Sequence, residues 1–432
     1  MKFNRFLLAL IVPAMMIGCQ KPDTPQEDPT PEPPVEKPDT PVTPEPEIQL
    51  APEIKSGDCV LAPNKFAEEF VTKVTYPDRD YSYSVVLDYH GGYNGQLAEG
   101  ESVNGDKSSE YTIRWEANEA EGKLQLELSE QETGWSMTKE ITAGSNYVDI
   151  NNLTPNVHYT YKVSSIEKGT VMTEGNFTTY GHIRQVFFKT RVRNGRDMGG
   201  WLTYDGKMVK YHKIYRTGRW ESSTMANSGK KAIIAEGIKA QLDLRNTSDV
   251  LDAPAIDGMD FCAPLIETGG DSMLKAEKGD KTRQCMQFII DCVKADKPVV
   301  YHCSLGRDRT GTLGMIILGL LDVVEGDISK EYEVTYFSPR GWSIASSETY
   351  KTFQNLRTTW AYKPAAEYIW AGKYPNATYE FNDDKESPDY TPFSVRIEKY
   401  LLDIGISQAD IDAFRELMLT EPYADLTPAT AE

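Results

Sequence analysis

The sequence predicts an α/β domain, with a central sheet flanked by helices, preceded by an all-β sandwich. Two textures and one junction predict it. Between about residues 53 and 180, apolar residues recur with period two in short runs. Past Tyr180, strand-like runs alternate with helical patterns, the mark of an α/β fold. The junction is Val299–His302, a buried-type strand that passes through a tight loop into a helix that is apolar nearly all round. A chain of 432 residues, 40% hydrophobic, has room for two cores plus extensions. Its formal charge of −19 excludes nonspecific attachment to nucleic acid or to an anionic membrane surface. Arg307 with Arg309 could still make one local basic site.

Taken in order, the chain opens with Lys2 and Arg5 before an apolar run, Phe6 to Ile17, too short to span a bilayer and proportioned like a secretory signal. The run ends Met16-Ile17-Gly18-Cys19, which resembles the lipobox of bacterial lipoproteins. That resemblance implies a signal peptide over 1–18, a lipidated Cys19 and a bacterial cell-envelope protein, periplasmic or surface-exposed, held to the membrane by its lipid anchor. Residues 19–52 hold eleven prolines among Asp, Glu and Thr, a composition that cannot bury a core and reads as an extended tether. Of the other cysteines, Cys285 and Cys292 lie seven apart on one helical stretch, too far to bridge. Buried thiols are expected there, and neither the six cysteines nor the five histidines show metal-ligand spacing.

Residues 53–180 carry the sandwich: Val85 to Tyr89, Tyr111/Ile113/Trp115, Leu124/Leu126/Leu128, Val148/Ile150 and Tyr159/Tyr161/Val163. Leu153 to Val163 resembles the end of a fibronectin type III module, in which Tyr159 would be the tyrosine bonding back across a corner. Aromatics such as Tyr81, Tyr83 and Trp135 are read as core of a spacer rather than as a binding face. His90 and His158 receive no role.

In residues 181–432, His182 to Val192 reads as a strand, followed by the tight, charged loop Asn194 to Gly200. Asp205-Gly206 predicts a type I′ hairpin. Then come Ile214 to Gly218, a helix near Ser222–Ala235, strands at Lys239–Leu244 and Asp260–Leu265, and a helix near Lys281–Lys294. Arg216, Asp243 and Arg245 stand at strand ends, where ligands of open α/β sheets collect. Residues 360–392, rich in aromatics without a clear period, read as an insertion, either a lid or a surface excursion. Two helices broken at Gly405, the second capped by Ser407, close the chain.

The loop is His302-Cys303-Ser304-Leu305-Gly306-Arg307-Asp308-Arg309-Thr310-Gly311. A strand end that curls into a helix N-terminus turns backbone N–H groups inward and binds an oxyanion. Cys303 at its start supplies a nucleophile whose pKa a helix N-terminus and nearby cations lower. Arg309 offers a fork to two phosphate oxygens, Thr310 a hydroxyl to the thiolate, and Gly306 the freedom to curl. The departing alkoxide or phenoxide needs a proton, for which Asp308 is nearest; Asp271, Asp280 and Glu267 are alternatives. These residues point to a phosphomonoesterase with a cysteine nucleophile.

Together with Asn194 to Gly200, Tyr215-Arg216, Leu242 to Arg245 and the Leu402 to Leu417 ending, the loop resembles the atypical bacterial tyrosine phosphatase family, whose loop reads H-C-x-x-G-K-D-R-T-G. The resemblance implies a phosphocysteine on Cys303, phosphate binding by Arg309, acid/base duty for Asp308, no metal and no other cofactor. It also implies substrate contacts from His302, Ser304, Leu305, Gly306, Arg307 and Thr310, and phosphotyrosine, phosphoserine or phosphoinositide and inositol phosphate substrates. Arg196, Asp197, Arg216, Asp243 and Arg245 would support the loop, the first two as a clamp. Arg307 stands where that family usually has lysine; it either greets a second anionic group or pairs with a neighbouring carboxylate. A phosphate-binding surface lipoprotein without turnover, and sulfur transfer in the rhodanese manner, are the alternatives.

Overall fold

The computed structural model describes residues 59–60, 65–73, 108–188, 192–220, 225, 227–337 and 361–423. The signal, Cys19, the tether, Tyr81, Tyr83, Val85 to Tyr89 and His90 lie outside the described residues. Residues 54–432 group into one compact unit.

The N-terminal region is β-rich. It contains β1 (Cys59–Val60), α1 (Lys65–Lys73), β2 (Glu110–Arg114), β3 (Leu124–Glu130), β4 (Ser136–Ile141), β5 (Tyr147–Asn151), β6 (His158–Ser165) and β7 (Val171–Thr179). One sheet runs β1-β7-β6-β3-β4 and β2 pairs with β5 in another. Period two explains which residues turn inward: Leu124, Leu126 and Leu128 are buried while their neighbours are not. They share one core with Ile113, Val148, Ile150, Val163 and Phe177. Tyr159 belongs to it too, its hydroxyl accepting from Thr154 N at 2.8 Å. Strands β4 and β7 escape the sequence pattern because each carries few buried apolar residues along its length.

The α/β region orders its main sheet β12-β11-β13-β10-β8, from β8 (Arg196–Asp197), β10 (Ile214–Thr217), β11 (Ala240–Asp243), β12 (Asp260–Cys262) and β13 (Val299–His302), with β9 (Met208–Val209) outside it. All neighbours are parallel except β8, which runs antiparallel at the edge. In register, Thr217 and Asp243 both face His302. Three strands therefore end level where the cysteine loop begins, and a crevice opens there.

Helices α2 (Asn227–Ala235), α3 (Asp271–Lys275) and α4 (Asp280–Lys294) precede β13. Helix α5 (Asp308–Leu320) follows the loop, and every residue from Thr310 to Leu320 is buried. Its glycines admit close neighbours. A Cβ on Gly311 would come within 2.4 Å of the Tyr332 ring on α6 (Glu325–Glu333), and one on Gly319 within 2.2 Å of Ile397 on α8 (Phe393–Asp403). Helix α9 (Gln408–Met418) starts at Ser407, whose side chain accepts from Asp410 N, after Gly405 turns the chain at φ +97°.

Three expectations are corrected. Residues 182–188 and 192 form no regular strand; a single bridge, Gln185 to Arg196, is made before Asn194, at φ +58°, turns the backbone away. At the hairpin only Gly206 has positive φ, +84°, and Thr203 N donates to Lys207 O, so the connection is a three-residue loop rather than type I′. Residues 362–371 are neither lid nor surface excursion but a core helix, α7 (Tyr362–Ala371). Its buried stripe, Tyr362, Ala365, Ala366 and Ile369, has helical spacing that two small alanines conceal.

Candidate active site

Three carbonyls shape the loop. Ser304 O accepts from Arg219 N at 3.1 Å, and Gly306 O from Asn194 Nδ2 at 2.9 Å and Arg216 Nη2 at 2.7 Å. Leu305 O meets Asn194 Nδ2 at 3.4 Å. All three point outward into the protein. A trans peptide sets the next N–H opposite its carbonyl, so the N–H groups of Leu305, Gly306 and Arg307 point to the inside of the loop. There they form an anion cradle, continued by the N-terminus of α5. Gly306 permits the curl, with φ +67° and a Cβ position only 2.5 Å from Thr217 O. Gly306→Ala is expected to cost about 2 kcal/mol in urea unfolding and to weaken binding of inorganic phosphate.

Cys303 lies at the floor, 3% exposed. Burial pushes its thiol up, but the Arg309 guanidinium and the hydroxyl and N–H of Thr310 pull harder, and its pKa falls below the ordinary value. Thr310 Oγ1 is buried without an oxygen or nitrogen partner, which leaves it to the sulfur. Arg309 is held at the rim by Ile266 O, at 2.9 Å, and by Ser304 Oγ, at 3.3 Å; that hydroxyl in turn donates to Asp249 at 2.9 Å.

His302 faces away from the cradle. Gln241 Oε1 accepts from Ala255 N, so the Gln241 amide nitrogen donates to His302 Nε2 at 2.9 Å. The ring proton of His302 is then on Nδ1, 3.9 Å from Asp243. Asp243 is gripped by Arg245 through Nε at 2.9 Å and Nη2 at 2.8 Å. Burial would raise the Asp243 carboxyl, but Arg245 and His302 bring it below its usual value. Arg245 and Asp243 thus brace His302 and do not enter the crevice.

Behind the loop, Glu331 is shared by two buried arginines. Arg196 Nε donates to its Oε1 at 2.7 Å, and Arg216 Nη1 donates to its Oε2. Arg196 also bonds Asn194 Oδ1 and Thr335 Oγ1. Burial and the adjacent Arg216 charge bring Arg196 down to about 10 against the pull of Glu331. Arg196, Arg216 and Asn194 are therefore the clamp on the loop. Asp197 turns to the opposite side, where it accepts from Arg184 at 3.1 Å and from the N–H groups of Gly199 and His212.

That second cluster ties the two regions together. Arg184 also bonds Glu236 and Asn152 O, both at 2.8 Å, and His212 Nε2 lies 2.8 Å from Glu130 of β3. Burial would raise Glu130, but the charge and hydrogen bond of His212, with Arg184 and Thr133, hold it at about 2. A folded pKa below the ordinary 4.5 means stability that is complete above about pH 4.5 and lost as pH falls toward 2. The span is ~3 kcal/mol. Urea unfolding between pH 6 and 3 should show this slope, and Glu130→Gln should flatten it.

Among the proposed proton donors, Asp280 pairs with Arg283 on the first turn of α4. Glu267 and Asp271 line a hollow of about 490 Å³ together with Asp308 and Arg309. Asp308 is gripped by Arg307, whose Nη2 lies 2.9 Å from its Oδ2. Arg307 itself is 2% exposed, and of the two expectations for it the structure shows the pairing with a neighbouring carboxylate. Glu331, Tyr332 and Asp249 were not legible beforehand. The one signal was that Arg196 and Arg216, in loop and strand positions bound for burial, required a counter-charge.

A thiol of lowered pKa on the floor of an inward-facing N–H cradle, with a guanidinium at its rim, defines the class of Cys-X5-Arg oxyanion sites. Residues 189–420 match the tyrosine phosphatase family, and the chain belongs to it. A Cupriavidus necator protein named "Putative tyrosine-protein phosphatase" is 23% identical over 164 residues. The match takes in 33% of this chain and 59% of that protein, so it spans less than two thirds of the relative's length.

Proposed function

We propose that the chain hydrolyses phosphomonoesters, phosphotyrosine among them, through a phosphocysteine on Cys303. The observation that carries this is the outward pinning of the Ser304, Leu305 and Gly306 carbonyls above a low-pKa thiol. Cys303 attacks phosphorus, Arg309 holds equatorial oxygens, and the breaking P–O bond sends its electrons to a leaving oxygen that takes a proton from Asp308. Water then gives its proton back to Asp308 as its oxygen bonds to phosphorus and sulfur leaves as thiolate. These steps ask no metal of the protein. Phosphoserine, phosphoinositides and inositol phosphates are further candidate substrates.

The remaining features complete the reading. The Gly18-Cys19 junction and the proline-rich stretch supply a lipidated tether at the bacterial envelope. The β-rich region is a fibronectin III-like sandwich, for which the Tyr159 hydroxyl accepting from Thr154 N speaks. Phosphate release by the full chain from phosphotyrosine peptide, phosphoserine peptide and inositol phosphates, with and without chelator, tests the function. Saturable phosphate binding with no release from any of them would favour the binding-protein alternative.

A further inference from the structure

Arg307 and Tyr332 converge on one carboxylate. Arg307 Nε carries a single hydrogen and lies 3.0 Å from Asp308 Oδ1 and 3.1 Å from Oδ2, while Nη2 lies 2.9 Å from Oδ2. The side-on fork is therefore Nε to Oδ1 and Nη2 to Oδ2. From α6, the Tyr332 hydroxyl donates to Oδ1 at 3.3 Å. Its ring cannot drift, because it is 1% exposed and packed over Gly311. An ionised carboxylate offers about four lone-pair directions. Two on Oδ1 are taken and one on Oδ2 is taken.

We propose that Arg307 and Tyr332 are positioning residues that leave Asp308 Oδ2 as the single oxygen exchanging protons at the phosphate. This rests on the phosphatase reading above. The geometry has room for it: the Asp308 side chain is 29% exposed beside Arg309, whereas Arg307 is buried behind it. In the first step Oδ2 gives its proton to the leaving oxygen as the P–O bond breaks. In the second it takes one from the water that attacks phosphorus as the S–P bond breaks. The cation in the loop thus acts on Asp308, and substrate charge does not reach it.

Leaving-group dependence separates this role from a structural one. A weakly basic p-nitrophenolate departs without a proton, whereas phenolate benefits from one. With the full chain, Arg307→Met is expected to lower kcat/KM, which reports only the steps up to departure of the leaving group, about 30-fold for phenyl phosphate and less than about 3-fold for p-nitrophenyl phosphate. Arg307→Lys should recover part of the loss, since it restores charge without the fork. Tyr332→Phe keeps the ring over Gly311 and removes only the hydroxyl; a loss of kcat/KM of about 5-fold confined to phenyl phosphate is expected. Equal losses of kcat/KM on both substrates in both variants would overturn the proposal. So would a raised KM with unchanged kcat on an inositol bisphosphate in Arg307→Met, which would make Arg307 a substrate contact. An inactive wild type would instead remove the phosphatase reading itself.

Discussion

Cys303→Ser should reduce phosphate release from an aryl phosphate by on the order of 10⁴-fold or more, with the thermal unfolding midpoint little changed. The reason is in the floor of the loop. Arg309 and Thr310 stabilise a negative charge on sulfur against the cost of burial, and the thiol ionises more readily than an ordinary cysteine. A serine hydroxyl is far too weak an acid to be ionised by the same surroundings. The cradle is untouched by the change, because its N–H groups are aimed by carbonyl contacts to Arg219, Asn194 and Arg216. The variant should therefore still bind inorganic phosphate, measured by calorimetry, while releasing none. Turnover retained in Cys303→Ser would end the phosphocysteine mechanism. The acid limb of the wild-type rate profile should lie below that of a free thiol for the same reason.

Glu331→Gln should be the most damaging change outside the loop, at about 3–5 kcal/mol in urea unfolding. Two guanidinium groups, Arg196 and Arg216, share this one buried carboxylate. An amide of the same shape neutralises neither and leaves like charges side by side in a water-excluded space. Because Arg216 also grips Gly306 O and Arg196 grips Asn194, the loop should loosen with the fold. Loss of phosphate binding is expected in parallel with the loss of stability. A variant of wild-type stability would show that the clamp is held by the backbone alone.

Much of this was written in local pattern. Strand β13, the loop and α5 could be placed because a buried strand, a glycine turn and an apolar helix are consecutive in the chain. Ser407 as a cap and the break at Gly405 are equally local. Helix α7 was hidden, since alanines fill half its buried stripe and aromatics crowd its flanks. Strands β4 and β7 are largely solvated and carry little period-two signal to read.

By itself, then, the sequence determined the loop between strand and helix, its thiol and its rim arginine, because contiguous residues close that geometry over a few peptide units. Only the tertiary structure decided where the charges go. Arg307 turned inward to Asp308, Asp197 turned to Arg184 and His212, and Glu331 arrived from α6 to serve two arginines at once. Ion pairs of this kind join residues up to 135 positions apart. No spacing rule encodes them; burial selects a partner for each charge once the chain has folded.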